Sequence, residues 1–567
     1  MYGLGKADIA VLVLYFLGTI AIGVYAARLV KNMGDFFMPR RFGKLLLTTH
    51  AFGTGTHSDQ AVGVAAKTYT NGLSGIWYQW LWLFCTPFYW LIAPILRRTR
   101  AITMSDVFTA RFDQSVGYLF AVVGTLQLSF NIGVMLKGSG AVISACFGKD
   151  VSADLVIIFM TVLFVAYGVC GGLAAAIITD FVQGILTVIF SFVLVPFVIQ
   201  AVGGMTGLQQ SITDSKMFSL VAPGDIGLFY IIVIAINALI GIVTQPHTMG
   251  TCAAGRSEYA GRFGFTMGNF IKRVCTMAWC ITGLAAVAYI AKKYGAGAFH
   301  EDEIYGVIAR DFLPVICPGL LGVFLASLLA SVMSSCDSFM IASSALFTEN
   351  VYKPIWPKEP DKHYVTVGRV TAVVVVLCGV TVAYTLPSVV KGIEIFWKIA
   401  PMMGIAFWLG LFWRRASSAG AWASTLAGFG MWFLTEQHFF KVFLQSLELG
   451  FVKETATGLT MYLPWQMVFY LTVGTFVGIV VSLMTRPVAD EKLDRFYELI
   501  RTPVEEGEPA PIEPCKLPEG MTPPEKRLLF KFWNLEVLVP TRLSVVGFVL
   551  SWVAVVGMIV GFWALTR

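Results

Sequence analysis

Apolar residues run in stretches of about 20 along nearly the whole chain, the length that crosses bilayer hydrocarbon as a helix. Polar residues gather in the short segments between them. The pattern predicts about fourteen membrane helices, at roughly 8–30, 44–70, 72–96, 115–147, 152–172, 175–203, 226–250, 265–292, 313–348, 365–388, 391–413, 417–438, 464–486 and 541–565. Two of these are interrupted. The second carries LLLTTHAFGTGTHSDQAVGVAAK (Leu45–Lys67) and the seventh INALIGIVTQPHTMGTCAAG (Ile236–Gly255). Each has a Gly/Thr-rich or Pro-containing break amid apolar sequence. Paired breaks of this kind point to a binding site in a transporter built from repeats, because an unwound turn frees carbonyls for a cation and N–H groups for an anion.

The ninth span departs furthest from a lipid-facing pattern. LASVMSSCDSFMIASSALFTENVY (Leu329–Tyr352) places Ser331, Ser334, Ser335, Asp337, Ser338, Ser343 and Ser344 within apolar sequence. An aspartate at a helix centre costs about 2.5–3.5 kcal/mol to insert. Spacings of three and four put Ser331, Ser334, Ser335 and Ser338 on one helical face. Small oxygen ligands in a row suit a dehydrated monovalent cation, which we read as sodium. The competing reading is that Ser334 and Ser335 bond back to the preceding turn.

Composition agrees with a polytopic membrane protein. Of 567 residues, 57% are hydrophobic and 13% charged, where a soluble domain carries about 25% charge; mean hydropathy is +0.73. The net charge of +7 does not imply a nucleic-acid partner, since the bases lie in short loops on one side. Arg28, Lys31, Arg40, Arg41 and Lys44 fall in the first loop; Arg97, Arg98, Arg100 and Arg111 in the third. Arg256, Arg262 and Arg273, then Lys353, Lys358, Lys362 and Arg369, then Arg414 and Arg415, follow in later odd loops. The positive-inside rule then puts both termini outside the cell membrane. The N-terminus has no basic leader region or clear cleavage site, so the first apolar segment is expected to remain a helix. The 10 cysteines are scattered, with no CxxC pair, and imply neither disulfides nor a metal centre. Residues 487–541, which include the Pro- and Glu-rich run RTPVEEGEPAPIEPCKLPEGMTPPEKR, read as a solvated cytoplasmic linker before the last helix. No HExxH, GxSxG, P-loop or haem motif argues for an enzyme.

Four motifs carry a resemblance: DFFMPR (Asp35–Arg40), GGLAAAIITDFVQ (Gly171–Gln183), TQPH (Thr244–His247) and LFWRRASSAGA (Leu411–Ala421). Together they resemble the solute:sodium symporter family, over roughly residues 8–440, although Pro39 stands where that family usually has glycine. The resemblance implies an all-α LeuT-type core of five plus five inverted helices. The division would be a first helix and loop (1–43), a transport core (44–413, with repeats 44–203 and 226–413), peripheral helices (414–486), a cytoplasmic linker (487–540) and a last helix (541–567). It implies sodium as the coupling ion, one or two per cycle, with no organic cofactor. The expected partners are a small solute and the bilayer, with the protein acting as a monomer.

The resemblance also implies ligands. A first sodium site would use the carbonyls of Gly53, Thr56 and Ser331 and the hydroxyls of Ser334 and Ser335. A second would use Asp180, Ser334, Asp337 and Ser338. Asp337 replaces a usual Ser or Thr, and two carboxylates around one ion call for a proton, for Lys272, or for Asp337 to face elsewhere. The alternative for Asp180 is a helix N-terminal carboxylate favoured by the macrodipole. The solute cavity is expected between the two breaks, with Asp59, Gln60, Lys137, Gln245 and His247 as candidates. Lys272 matches a sugar-contacting lysine of the glucose branch. Lys137, alone in SFNIGVMLKGSGAVIS, needs a partner such as Asp59 or a substrate carboxylate, or else snorkels to the surface. Glu394 and Lys398 would line the vestibule or form an i,i+4 pair. His50 and His300 read as ordinary polar residues. The expected activity is sodium-coupled import of a small polar organic solute: sugar, amino acid or organic acid. The alternatives are proton-coupled or sodium-independent transport, or a membrane sensor, for which 487–541 is too short an output domain.

Overall fold

The computed structural model describes residues 5–27, 37–38, 40, 42–147, 152–222, 225–455, 458–504, 506–508, 513–530 and 532–567, without the side chains at 22–24, 26–27, 163, 166–172, 174–175 and 178–179. Asp35, Phe36 and Pro39 of the DFFMPR stretch lie outside the described residues, as do Arg28, Lys31 and Arg41. The helices used below are α1 (Lys6–Ala27), α2 (Lys44–Gly55), α3 (Ser58–Asn71), α4 (Thr86–Arg98), α5 (Met104–Arg111), α6 (Gln114–Cys146), α7 (Ala153–Ala201), α8 (Leu228–Ile242), α9 (His247–Ala253) and α10 (Glu258–Lys293). They continue with α11 (Ile304–Ile316), α12 (Leu320–Phe347), α13 (Asp361–Thr385), α14 (Val389–Phe412), α15 (Ser418–Glu436), α16 (Leu463–Met484), α17 (Asp490–Arg501) and α18 (Arg542–Leu565). One hairpin, β1 (Val452–Thr455) with β2 (Gly458–Met461), is antiparallel and pairs Val452 with Met461.

Among the described residues, 8 helices are long and apolar enough to cross a membrane, and 9 if the bent pair α8–α9 counts as one span. This is fewer than the fourteen spans expected. Part of the difference is the second span, which is divided into helices of 12 and 14 residues. Another part is that the expected fifth and sixth spans form one helix of 49 residues. The Ala-rich run between them holds no proline, and alanine favours continued helix.

Both predicted breaks are present. α2 ends at Gly55 and α3 starts at Ser58, with Thr56 (φ −127°, ψ 105°) and His57 (φ −132°, ψ 166°) extended between them. Thr54, Gly55 and Thr56 are poor helix formers and concede the turn. α8 and α9 meet at a bend of 69°, where Pro246 has no N–H to continue the ladder. Thr244 there donates to the Ala400 carbonyl of α14 at 2.8 Å.

α10 lies along both halves of the first break. A Cβ on Gly268 would sit 2.5 Å from the Thr48 carbonyl oxygen and 2.8 Å from the Phe52 nitrogen; one on Gly264 would sit 2.6 Å from Leu47 Cβ. Past the break, a Cβ on Gly283 would meet the Ala65 carbonyl oxygen at 2.6 Å. Small residues four apart thus bring the backbones into contact, as in other membrane helix pairs. One turn beyond Gly268, Lys272 arrives opposite the break. On the other side α6 closes in, with Ser139 Oγ 2.8 Å from Ser58 Oγ. α12 packs against α2, α6 and α7, and its most apolar window is 89% buried.

The segment expected to be a free linker is instead anchored. α17 buries Leu493, Phe496, Tyr497, Leu499 and Ile500, and Tyr497 donates to the Gly410 carbonyl at 2.9 Å. Glu508 accepts two hydrogen bonds from Arg100, at 2.6 and 2.8 Å, with both side chains buried. Arg273, counted among the loop bases, lies inside α10 and is 1% exposed.

Placing even one methyl at Gly268 forces α10 and α2 apart. Gly268→Ala is expected to cost about 1–3 kcal/mol, read as a lower melting temperature of the detergent-purified protein. Gly557→Ala, where nothing lies within 4 Å, should leave it unchanged. Equal melting temperatures for the two variants reject the close approach.

Candidate functional site

Ser335 is the hinge of the site. Its hydroxyl lies 3.0 Å from the Gly53 carbonyl oxygen at the end of α2 and 3.0 Å from the Ser331 carbonyl oxygen of its own helix. Back-bonding and the bridge between helices are therefore made by the same group. Ser334, one residue earlier, donates to Asp180 Oδ1 on α7. A Cβ on Gly53 would come 3.1 Å from Ser334 Oγ and 3.2 Å from Asp180 Cγ, so a larger residue there would push the Ser334 and Asp180 side chains back by a few tenths of an ångström. The Thr56 amide donates to the Gly53 carbonyl at 3.1 Å. Ser331, Ser343 and Ser344 turn their own hydroxyls back onto α12, at 2.8, 2.9 and 2.9 Å. Gly53, Ser331, Ser334 and Ser335 thus converge at the break beside Thr56, and all are buried. Neutral oxygens from two elements suit an alkali cation of modest affinity.

Asp180 sits within α7, not at a helix N-terminus, and is fully buried. Its second oxygen bonds His50 Nδ1 at 2.6 Å. Thr54 Oγ1 lies 3.2 Å from the same nitrogen and 3.1 Å from Ser338 Oγ. The residues expected around a second sodium are therefore tied to one another, and an imidazole nitrogen stands at the open side of the carboxylate. Asp337 is buried on α12. Sequence reasoning missed His50 and Thr54. Their signal was spacing: His50 precedes Gly53 by three residues and Thr54 by four, one face of α2.

A cavity of about 50 Å³ lies on the other side of the break. Gln60, Gln245, His247 and Lys272 line it, joined by His57, Asn131, Asn269 and Arg273. Trp82, Tyr89, Phe265, Phe339 and Phe396 supply its apolar wall. Lys272 donates to the Gly55 carbonyl, one of those exposed by the break. Asp59 does not line the cavity; it bonds His57 Nδ1, whose Nε2 is 3.1 Å from Gln60 Nε2. Lys137 is absent from the wall. It is half-buried, and Asp302, between α10 and α11, is the carboxylate that feels its charge. Glu394 and Lys398 do not pair with each other. Glu394 accepts from Tyr78 at 2.8 Å and from Lys391 at 2.9 Å, and Lys398 lies 3.6 Å from Glu436. Among the described residues, no three His, Cys, Asp or Glu side chains cluster to hold a metal.

Removing the imidazole strands a buried carboxylate oxygen. His50→Leu is expected to cost about 2–3 kcal/mol of stability, and His50→Gln, which keeps an N–H donor, clearly less. Thermal unfolding in detergent measures both, and matching losses reject the bond as a stabilising contact.

The model of the sodium:solute symporter family matches residues 36–428. The osmoregulated proline transporter OpuE of Bacillus subtilis is 27% identical over 73% of this chain and 86% of its own length. The sodium/glucose cotransporter of Vibrio parahaemolyticus is 24% identical over 74% and 83%. A sodium/pantothenate symporter of Escherichia coli is 23% identical over 74% and 88%. Among solved structures, a Na+-coupled sialic acid symporter superposes with a TM-score of 0.70 at 18% identity, covering 86% of this chain and 99% of that one.

Proposed function

The chain belongs to the sodium:solute symporter family, whose members are transporters and not enzymes, and from that premise we propose that it imports a small polar organic solute coupled to a single sodium ion. The observation that carries this reading is the Ser335 hydroxyl, 3.0 Å from oxygens on both α2 and α12. On this reading sodium is the cargo that enters among the Gly53, Thr56 and Ser331 carbonyls and the Ser334 and Ser335 hydroxyls. Ser335 rotates its hydrogen away and turns its lone pairs to the ion. Ser334 keeps its donation to Asp180, which leaves its lone pairs free to ligate. The ion then pins α12 to the broken span, favours one conformer, and completes the cavity where Gln60, Gln245, His247 and Lys272 meet the solute. Transport follows by population shift between outward- and inward-facing states.

We assign no second sodium to Asp180, Ser334, Asp337 and Ser338, because His50 already holds the carboxylate. One ion is sufficient for concentration. A tenfold sodium gradient supplies about 1.4 kcal/mol, and 100 mV adds about 2.3 kcal/mol for each net charge moved. The two breaks, at Thr56–His57 and ahead of His247, support an inverted repeat over 44–203 and 226–413 within about fourteen spans, two of them fused in α7. The remaining helices are peripheral, and the protein acts as a monomer in the cell membrane. Sodium-independent or proton-driven transport is the alternative, and counterflow in choline medium separates it from the present reading.

The sodium site can be tested without knowing the solute. Tryptophan fluorescence of the purified protein, titrated with sodium chloride against choline chloride, should saturate with a Hill coefficient near one; a coefficient of two rejects the single-ion reading. Ser335→Ala should raise the sodium midpoint about tenfold, equivalent to about 1.4 kcal/mol, and an unmoved midpoint removes Ser335 from the site.

A further inference from the structure

The cavity wall has an unbalanced charge. It contains two cations, Lys272 and Arg273, and two imidazoles, His57 and His247, but no carboxylate. Lys272 is 6% exposed and Arg273 1%, and among the described residues neither makes an ion pair. Their hydrogen-bond acceptors are neutral: the Gly55 carbonyl for Lys272, and the Gln79 carbonyl at 3.2 Å and Asn269 Oδ1 at 3.4 Å for Arg273. His247 Nδ1 is buried with no partner. Asp59 is near enough to act on Lys272, but its carboxylate is engaged by His57. Arg273 keeps its proton at any depth and meets only neutral acceptors, so its positive charge stands unpaired at the cavity wall. Inside a membrane protein such a charge demands an anion.

We propose that the solute is a small organic monocarboxylate without an amine, its carboxylate held by Lys272 and Arg273 and its body packed against Phe339, Phe396 and Trp82. The inference rests on the symport reading of this same cavity. Adjacent residues on a helix point about 100° apart, yet both of these reach the cavity because α10 passes beside it at the break. Guanidinium and ammonium together suit a carboxylate, the first as a planar fork and the second as a compact charge. An amino acid would bring an ammonium group to a wall that offers it no acid. A sugar would leave the extra positive charge in place. A monocarboxylate neutralises it, and with one sodium the transported pair carries no net charge.

Proteoliposomes of the full chain, given an inward sodium gradient, test this with radiolabelled pyruvate, propionate and benzoate, and with glucose and proline as contrasts. The expected result is sodium-dependent uptake of a carboxylate, with a rate changed less than twofold by a valinomycin-imposed potential. Arg273→Gln should lower that uptake more than tenfold, and Arg273→Lys should restore part of it. Should the variants fail to fold, competition on the parent protein serves: benzoate should inhibit uptake and benzamide, its neutral analogue, should not. Sodium-dependent uptake of glucose or proline in place of the carboxylates, or equal inhibition by benzamide, overturns the anion assignment and leaves sodium symport standing. Carboxylate uptake that proceeds equally in choline overturns the symport reading and leaves the anion site standing.

Discussion

A helix that stops inside a membrane must find partners for the backbone groups it frees, since lipid supplies none. The break at Thr56 and His57 is the constraint around which this molecule is arranged. Ser335 takes the Gly53 carbonyl at 3.0 Å, and Lys272 takes the Gly55 carbonyl. These two groups come from opposite sides, one on α12 and one on α10. Each reaches the break only because small residues let the helices close on it. Gly268 brings α10 against Thr48 and Phe52, and Gly53 itself makes room for Ser334 and Asp180. The glycines are therefore part of the site although they carry no chemistry.

The same economy governs charge. Asp180 would be prohibitive alone at its depth, and it is answered by His50 at 2.6 Å and by the Ser334 hydroxyl. Asp59 is answered by His57. Both imidazoles come from the broken span, one on each side of the interruption's start, and each neutral or charged ring can donate to its carboxylate. Lys272 and Arg273 differ in having only neutral acceptors. The buried carboxylates at the break are thus answered by imidazoles, while the cations at the cavity meet only neutral oxygens.

Local chemistry was legible in the sequence, and partnership across the chain was not. The two breaks were readable from Gly, Thr and Pro, and the serine face of α12 from its helical spacing, because both are decided within a few residues. His50 gave little sign of its role, since Asp180 lies 130 positions away. Arg100 was read as a loop base for the same reason: Glu508, which it binds, is 408 positions distant, and that contact joins the buried face of α17 in docking an acidic, Pro-rich segment. Arg273 was misread because the positive-inside rule counts bases near span ends without asking which way they face. The length of α7 was missed because the Ala-rich run that separates two apolar stretches is itself a good helix former.

The geometry of the break also gives a physical route for coupling. The Gly53 carbonyl faces the serines of α12, and the Gly55 carbonyl faces Lys272, so the two sides of the site are two residues apart on one backbone. A carboxylate that draws the Lys272 ammonium towards the cavity weakens its bond to the Gly55 carbonyl. The freed end of α2 then needs another cation to hold it, and on the proposed reading a sodium ion beside Gly53 and Thr56 would supply that charge. An ion already in place likewise relieves Lys272 of its structural role and leaves it available to the solute. On the proposed reading each ligand would stabilise the form of the break that the other prefers, which is the reciprocity that linkage requires of any coupled pair. No long-range pathway is needed, because both sites pull on the same unwound turn.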